Sequence, residues 1–400
     1  MAVVTEEMSM AQRTEAAQQV AELLQTAREA LGLDLAFLSR LDGTVQHLEV
    51  VETELPVPDG TTQRQETSFC QAIIDGTLPA VIPDVTRFPG AMRLPATEQG
   101  IRSFISVPVE LSDGTLYGTF CGAGLTADPG LAERDRALMQ VLARAAALIL
   151  EPDVRHRRRT AAVESRLRPL LETGPVVLLQ PIVDLATGRR VGTEALSRFP
   201  AEWNQPPDEC FADAALIGER ERLELAALRR AADYLPDVTG YIAMNISPAT
   251  LFTPGAVEWL SGLPLDRIVL ELSEHDPIDD YGHLAAVLRP LRTRGMRLAI
   301  DDVGAGFSSL RHIVATAPDV IKLDRSIVSG VAGDAVLAVV TRALVDLARA
   351  VDAKVVAEGI ETEADAVALA GLCVDLGQGW HFGKATTVAE LRDDYRLAPV

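Results

Sequence analysis

The spacing of apolar and polar residues differs between the first 150 residues and the rest of the chain. In the first part, apolar residues recur at helical intervals over 10–33 and 131–150, which predicts two amphipathic helices. A shorter helix is expected over 67–74, and turns at Asp42-Gly43-Thr44 and Asp113-Gly114 predict hairpins. Helices flanking antiparallel strands predict an N-terminal α+β module. Its expected strands are 35–41, 45–51, 81–85, 103–111 and 116–122.

From residue 176 onward, strand-like segments alternate with amphipathic helical segments such as 278–294 and 335–351. Repeated β-then-α units, near eight in number, predict an α/β barrel rather than an open sheet. The first two strands are joined by Ala186-Thr187-Gly188, and so short a connection permits only an antiparallel hairpin. We therefore expect a TIM-like barrel with an antiparallel first strand. Its predicted strands are 177–182, 191–196, 241–246, 268–272, 298–301, 320–323 and 354–357.

The two parts are joined by an expected helical linker. Glu151-Pro152 is predicted to end the second long helix, because a proline inside a helix removes a hydrogen bond. The basic run RHRRR at 155–159 either binds an anionic partner or is a solvated connector, and one short run in an acidic chain favours the connector. The expected division is an α+β domain over 1–152, a linker over 153–172 and a barrel over 173–400.

Composition and charge narrow the classes of partner. The 400 residues include 57 acidic and 37 basic side chains, which give a net charge of −20. A chain this acidic repels nucleic-acid backbones and anionic membranes, so we expect no nucleic-acid polymer as a partner. No apolar stretch is long enough for a membrane span, and the first ten residues lack the pattern of a signal peptide. These features predict a cytoplasmic protein without membrane insertion.

Cysteine and lysine are both sparse. The cysteines form no CxxC pair, which is typical of a reduced cytosolic protein with core thiols; they are Cys70, Cys121, Cys210 and Cys373. Of the 37 basic residues, three are lysines, namely Lys322, Lys354 and Lys384. Because arginine is the usual basic residue of this chain, each lysine marks a position where arginine was not used.

Polar residues follow the apolar run of nearly every predicted barrel strand. They are Glu194, Asn245, Glu271 with Glu274, Asp301 with Asp302, Lys322, and Glu358 with Glu361. Barrel enzymes carry their reactive groups at this end of the strands. Carboxylates that converge there cannot all ionise without a cation. Because the set contains no histidine or cysteine, it suits Mg²⁺ or Mn²⁺ rather than Zn²⁺.

The adjacent pair Asp301-Asp302 suggests one carboxylate shared between two ions and a second that serves one ion. Two such ions can clamp the attacking and leaving oxygens of a phosphodiester, and Lys322 would hold or activate the attacking water. A single acidic residue at a strand end is more often a helix cap, but a whole set around a lysine does not fit that explanation. The glycine-rich segment 302–309 fits either a flexible connector or a phosphate cradle.

Eight short motifs between 176 and 385 resemble, in order, those of the EAL-domain family of cyclic di-GMP phosphodiesterases. They are QPIVDL (180–185), EAL (194–196) with Arg198, MNISP (244–248), ELSE (271–274), DDVGAGFSSL (301–310), DVIKLD (319–324), AEGIET (357–362) and GQGWHFGK (377–384). The resemblance implies a TIM-like barrel with an antiparallel first strand, and hydrolysis of cyclic di-GMP to linear pGpG. Every catalytic position that can be mapped is filled, which favours an active enzyme.

The resemblance also implies roles for individual residues. The metal ligands would be Glu194, Asn245, Glu271 and Asp301 for one ion, and Asp301, Asp302 and Glu358 for the other. The catalytic residues would be Lys322, which acts on the nucleophilic water, with Glu358 and Glu361. The substrate contacts would be Gln180, Arg198 and Gln378. Glu361 and Gln378 would also complete the water shell of the metals, and Glu274 would hold the loop that follows Asp302.

Five residues depart from the family pattern, namely Phe199, Val303, Phe307, Trp380 and Ala385. Of these, Val303 and Phe307 lie in the loop that the family is thought to use to couple dimerisation to metal binding, so they bear on turnover and regulation. The alternative is a catalytically silent cyclic di-GMP receptor that acts through protein contacts. The presence of Glu194 and Lys322 favours the enzyme. A barrel enzyme for another phosphorylated substrate would need a different set of loops.

The N-terminal module resembles a GAF domain, a fold that senses small ligands. The resemblance rests on the order of helix, hairpin and strands and on the segment 68–85. Its ligand stays open. Cys70 is either a redox or chromophore-attachment site or, as we favour, a buried structural thiol, and a lone histidine in a strand such as His47 is usually structural. Helices at both ends of the module suit a homodimer that passes a signal to the barrels.

Overall fold

The computed structural model describes residues 14–304 and 309–393, which divide after Arg159 into two compact units. Residues 10–13 of the first predicted helix lie outside the described residues. The helices that begin in the first unit are α1 (Glu15–Leu31), α2 (Phe69–Ile74), α3 (Pro95–Glu98) and α4 (Glu133–Leu167). Its strands are β1 (Leu35–Leu41), β2 (Val45–Thr53), β3 (Thr61–Arg64), β4 (Val81–Ile82), β5 (Ser103–Glu110) and β6 (Leu116–Gly124).

The first unit is built on one antiparallel sheet in the order β3-β2-β1-β6-β5-β4. Both faces of the sheet are buried. One face packs with α1 and α4 around Leu24, Phe120 and Met139. The other carries a second apolar cluster, in which Phe69 of α2 stacks on Phe104. Strand β3 was not expected, because its sequence TTQR has no apolar alternation.

Helix α4 does not end at Pro152, and the prediction of a break there is wrong. A proline inside a helix costs about 3 kcal/mol, but contacts on both sides of it offset this cost. Leu150 and Val154 are buried in the core of the first unit. The Glu151 carboxylate, one residue before the proline, pairs with Arg155 at 2.6 Å. The helix therefore continues to Leu167, through most of the predicted linker.

The second unit is a closed barrel in the order β10-β11-β12-β13-β14-β7-β8-β9. Its strands are β7 (Val176–Asp184), β8 (Arg190–Arg198), β9 (Tyr241–Asn245), β10 (Ile268–Ser273), β11 (Arg297–Val303), β12 (Val320–Leu323), β13 (Lys354–Ala357) and β14 (Leu376–Gln378). Strand β7 pairs antiparallel with both β8 and β14, and the remaining neighbours pair in parallel. Seven of these strands overlap the predicted ones; the three-residue β14 was missed.

Helices surround this barrel. They are α5 (Leu170–Thr173), α6 (Pro207–Leu216), α7 (Arg220–Ala232), α8 (Pro248–Leu251), α9 (Ala256–Ser261), α10 (Tyr281–Thr293), α11 (Ser309–Thr316), α12 (Arg325–Val328), α13 (Ala335–Ala350), α14 (Glu363–Gly371) and α15 (Val388–Asp393). The main core lies between the helices and the strands. Among the described residues, no helix combines the length and apolar character that crossing a bilayer requires.

Candidate functional site

The strand period explains why the polar side chains meet inside the barrel. A separate apolar cluster of strand residues includes Ala243, Val269, Ala299, Val320, Val356 and Leu376. Two residues after each of these, on the same face of the strand, stands a polar residue. The pairs are Ala243–Asn245, Val269–Glu271, Ala299–Asp301, Val320–Lys322, Val356–Glu358 and Leu376–Gln378. Inside the barrel, a layer of apolar side chains therefore lies next to a polar layer, which is formed by the side chains at the carboxyl ends of the strands.

Lys322 lies at the centre of the polar layer. Its side chain is 1% exposed. The Nζ atom is 2.7 Å from Glu358 Oε1, 2.9 Å from Glu271 Oε2 and 3.1 Å from Asp301 Oδ2. Glu194 Oε1 is slightly farther away, at 3.4 Å. One ammonium group thus contacts carboxylates from four different strands or strand ends.

The carboxylates form two groups, each of which has oxygens within 4.8 Å of one another. The first contains Glu194, Glu271 and Asp301, and the second contains Asp301, Asp302 and Glu358. Asp301 therefore belongs to both groups. This arrangement is the one expected when one carboxylate bridges two cations.

The Asp302 carboxylate lies near that of Asp301 because the carboxyl end of β11 is irregular. Successive side chains of a regular strand point to opposite faces. Here the pairing of β11 with β12 shifts between Ile300 and Val303, and Asp302 takes a left-handed backbone conformation with φ 60°. Aspartate tolerates this conformation better than most residues. The Asp302 N–H donates to Asp301 Oδ1 at 2.9 Å, which fixes the two residues relative to each other.

Burial and mutual repulsion change the proton affinity of the cluster. Burial raises the pKa of Glu271 well above its usual value, and the neighbouring Glu194 and Asp301 act in the same direction. Burial likewise raises the pKa of Glu358 well above normal. Burial disfavours the ammonium form of Lys322, but the surrounding carboxylates outweigh it and raise the lysine pKa well above normal. The protein thus holds more carboxylates here than one lysine can neutralise.

The charge balance fits two divalent cations. The two groups contain five carboxylates, and Lys322 supplies one positive charge. When all five acids are ionised, four negative charges remain, which two divalent ions would neutralise. Carboxylate oxygens are ligands preferred by Mg²⁺ and Mn²⁺. The residues present therefore fit the metals expected from the sequence.

Two amides support Glu194. Gln378 donates from Nε2 to Glu194 Oε2 at 2.6 Å and to Gln180 Oε1 at 3.0 Å, while Gln180 donates to the Gly383 carbonyl. Asn245 donates to Glu194 Oε1 at 3.1 Å. Although burial opposes ionisation, the Lys322 charge and these amides lower the pKa of Glu194. Gln180 and Gln378 orient a carboxylate here, and their contact with substrate stays a prediction.

Two other expected residues lie apart from the carboxylate groups. Glu361 Oε1 pairs with Arg325 Nη2 at 2.8 Å and belongs to neither group. The Glu274 side chain is fully buried, with Oε1 3.8 Å from His275 Nε2. Residues 305–308 of the loop that Glu274 is expected to hold, including Phe307, lie outside the described residues. The roles of Glu361 and Glu274 stay predictions.

A cavity of about 530 Å³ opens beside the polar layer. Asn245 and Glu271 line it together with Arg198, which is the last residue of β8. The Arg198 Nη1 atom donates to the Ser197 carbonyl at 2.9 Å, and within the described ranges no carboxylate pairs with Arg198. An arginine without an acidic partner at the edge of a cavity is suited to bind a phosphate group.

Glu224 on α7 is a supporting residue that sequence patterns did not reveal. Its Oε2 atom accepts hydrogen bonds from Ser247 N, Ser247 Oγ and Thr250 Oγ1, and Oε1 pairs with Arg220. Ser247 follows Asn245 by two residues, so Glu224 fixes the turn that carries this ligand candidate. The signal in the sequence was weak, because an acidic residue on an amphipathic helix is usually solvated.

His47 and Cys70 of the N-terminal module also have defined surroundings. His47 Nε2 is 2.9 Å from Asp42 Oδ2, within the hairpin that both residues belong to. Cys70 is buried beside Cys121. The ligand of this unit stays open.

Residues 165–385, more than half of the chain, match the family model of the EAL domain. The chain belongs to the EAL family. Residues 15–150 match the family model of the GAF domain, so this EAL protein carries a GAF domain ahead of its barrel.

Similar proteins include relatives with and without an assigned activity. An uncharacterized protein of Mycobacterium bovis is 31% identical over 255 residues, which cover 58% of this chain and 82% of that protein. The probable cyclic di-GMP phosphodiesterase PdeD of Escherichia coli is 29% identical over 221 residues, which cover 51% of this chain and 40% of PdeD. The solved PaMucR phosphodiesterase in complex with c-di-GMP is 26% identical, with a TM-score of 0.51, over 58% of this chain and 99% of that one.

Proposed function

We propose that the EAL domain of this protein hydrolyses cyclic di-GMP to linear pGpG with two divalent cations. The observation that carries the proposal is the pair of carboxylate groups that share Asp301 around the buried Lys322. Two ions, when bound, neutralise the phosphodiester and stabilise the charge that develops on the attacking and leaving oxygens. The residues that would hold them are Glu194, Asn245, Glu271, Asp301, Asp302 and Glu358.

The substrate assignment is supported by two similar proteins. PaMucR is described as a phosphodiesterase in complex with c-di-GMP, and PdeD as a probable cyclic di-GMP phosphodiesterase. The cavity beside the carboxylates lies within the size range of ligand pockets, about 300–1,000 Å³. Arg198 on its wall binds a phosphate of the dinucleotide and places the scissile bond near the carboxylates.

The chain's own residues position the attacking water and hold the ligands in place. The Lys322 ammonium donates to the water and keeps it oriented toward phosphorus. Glu358 Oε1 lies 2.7 Å from the Lys322 Nζ atom. Gln378 and Asn245 hold Glu194 ionised and correctly turned. Glu224 keeps the Asn245 turn rigid. Preorganised groups of this kind lower the barrier because they need no rearrangement during the reaction.

The remaining assignments concern regulation. We infer that the GAF domain controls turnover in response to a small ligand or chemical signal, and that the protein acts in the cytoplasm as a homodimer. The GAF and EAL family matches on one chain support the first inference. The dimer and the compartment rest on the sequence features given above.

A catalytically silent receptor for cyclic di-GMP is the second candidate. The complete set of five carboxylates with Lys322 favours the enzyme over it, because a receptor needs neither a shared carboxylate nor a buried lysine. The test incubates the full-length chain with cyclic di-GMP and Mn²⁺, before and after chelation, and separates the products. We expect pGpG in the first sample alone. Dinucleotide that binds without cleavage would assign the receptor.

A further inference from the structure

Two cysteines lie side by side in the core of the GAF domain. Cys70 is on α2 and Cys121 is on β6, and their Sγ atoms are 3.2 Å apart. The two residues are 1% and 0% exposed. Both thiols are free. A disulfide has an S–S bond of about 2.05 Å, so an approach of roughly 1 Å would join the two sulfurs.

The surroundings of the pair are polar, although they lie in the core. Gln46 Nε2 donates to Cys70 Sγ at 3.0 Å. Ser106 Oγ and Thr119 Oγ1 lie 3.2 Å and 3.1 Å from Cys121 Sγ. These three polar residues are almost completely buried. Thiols that only filled space would need no such neighbours, since buried polar groups are costly unless they find partners.

The same hydrogen bonds lead toward the protein surface. Gln46 Oε1 accepts a hydrogen bond from Gln63 Nε2 at 2.7 Å. Gln63 is exposed on β3, which is an edge strand of the sheet. A line of hydrogen-bonded polar groups thus connects the buried sulfurs with the protein surface.

We propose that Cys70 and Cys121 form a reversible dithiol–disulfide pair that is oxidised by peroxides. The Cys70 thiolate attacks one oxygen of hydrogen peroxide, the O–O bond breaks, and hydroxide leaves to combine with the proton released by Cys70. The Cys121 sulfur then attacks the Cys70 sulfenic sulfur, the S–O bond breaks, and hydroxide leaves as water with the Cys121 proton. Two thiols and one peroxide give one disulfide and two waters, and a dithiol reductant reverses the change by exchange.

The division of roles follows from the unequal surroundings of the two thiols. Burial opposes ionisation of Cys70, but hydrogen bonds from Cys121, Thr119 and Gln46 hold its pKa below the usual thiol value. Burial raises the pKa of Cys121 well above that value. In the structure, Cys70 Sγ accepts a hydrogen bond from the Gln46 amide, whereas Cys121 Sγ donates one to Thr119 Oγ1. A donor that faces the sulfur stabilises the thiolate, so Cys70 is the attacking thiol and Cys121 the resolving one.

The test uses the full-length wild-type chain treated with hydrogen peroxide, then denatured, alkylated and mapped by mass spectrometry. We expect a peptide pair linked through Cys70 and Cys121, a fall from four alkylated cysteines to two, and full recovery with a dithiol. The Cys373→Ser variant, which removes an exposed thiol, serves as the control and keeps the linked pair. In Cys121→Ser, a sulfenic-acid probe labels Cys70.

The proposal is overturned if Cys70 and Cys121 both remain alkylated at a peroxide dose that oxidises Cys373. It is also overturned if Cys70 is over-oxidised without the link to Cys121. Both results are obtained from the wild-type chain, so they do not depend on whether a variant folds.

Discussion

Asp301 and Asp302 are consecutive residues, yet both carboxylates reach the same group at the mouth of the barrel. The left-handed backbone of Asp302 and its N–H bond to Asp301 Oδ1 make this possible. One strand end therefore supplies both the carboxylate common to the two groups and a carboxylate that belongs to the second group alone.

Replacing Asp302 should remove the second ion without unfolding the barrel. In Asp302→Asn the amide tolerates the left-handed conformation, but one negative charge is lost. We expect one Mn²⁺ per chain instead of two, measured by equilibrium dialysis, and turnover reduced at least about tenfold. Asp346→Asn, an exposed position on α13, is the matched control with two ions. Two ions and full turnover in Asp302→Asn would refute the assignment.

Lys322 should stabilise the metal-free fold. In Lys322→Met, several buried carboxylates lose their cationic partner, and removing one member of a buried ion pair costs about 3–5 kcal/mol. We expect a lower melting temperature without metal and partial recovery with Mn²⁺. Lys354→Met is the control, because Lys354 is exposed at the start of the adjacent strand. Equal melting of both variants would show that Lys322 does not offset the carboxylate charge.

The raised pKa values of Glu271 and Glu358 predict a pH dependence of stability. Their folded-state pKa lies above the usual 4.5, so the metal-free folded protein binds more protons than the unfolded chain. The stability from these groups is full below 4.5 and is lost as pH rises toward the raised pKa. We expect the melting temperature of the metal-free protein to fall as pH rises above 4.5, and to fall less steeply in Glu271→Gln.

Metal binding should reverse this loss of stability at higher pH, because the cations displace the protons that Glu271 and Glu358 retain in the folded protein. Calorimetric titration of Mn²⁺ in two buffers of different ionisation enthalpy measures the protons released. A heat independent of buffer, or identical pH slopes for wild type and Glu271→Gln, would contradict the assignment.

Arg198 should act on substrate rather than on metal. A hydrogen bond to a charged group is worth about 1.5–3 kcal/mol, so in Arg198→Ala we expect KM for cyclic di-GMP to rise roughly 10- to 150-fold. Mn²⁺ affinity should stay unchanged, as should KM in Arg189→Ala, an exposed arginine of the β7–β8 connection. Weakened metal binding with unchanged KM would move Arg198 out of the substrate site.

Strand periodicity could predict much of the site. Asn245, Glu271 and Asp301 each follow an apolar interior residue by two positions, and the carboxyl ends of parallel strands meet at the same mouth of a barrel. Asp302 breaks this period, and its place depends on a local irregularity that the sequence pattern does not reveal. The pairing of Glu361 with Arg325 depends on where α12 packs, which is a tertiary contact.

The missed strand β14 and the expected break at Pro152 have identifiable reasons. Strand β14 is three residues long, and the glycine after it, Gly379, is required because a Cβ there would lie 2.1 Å from the Ile360 carbonyl oxygen. So short a strand, followed by a glycine that close packing requires, shows no alternation of apolar and polar residues in the sequence. The expected break at Pro152 failed because core burial of Leu150 and Val154 outweighs the local proline cost.

The most direct test of the central claim measures cleavage and binding of cyclic di-GMP in the same samples of full-length protein with Mn²⁺. Wild type and Glu258→Gln, an exposed control on α9, should release pGpG, whereas Glu194→Gln should bind the dinucleotide with little or no cleavage. Equal cleavage by Glu194→Gln, or wild-type protein that binds cyclic di-GMP and never releases pGpG, would contradict a two-ion phosphodiesterase.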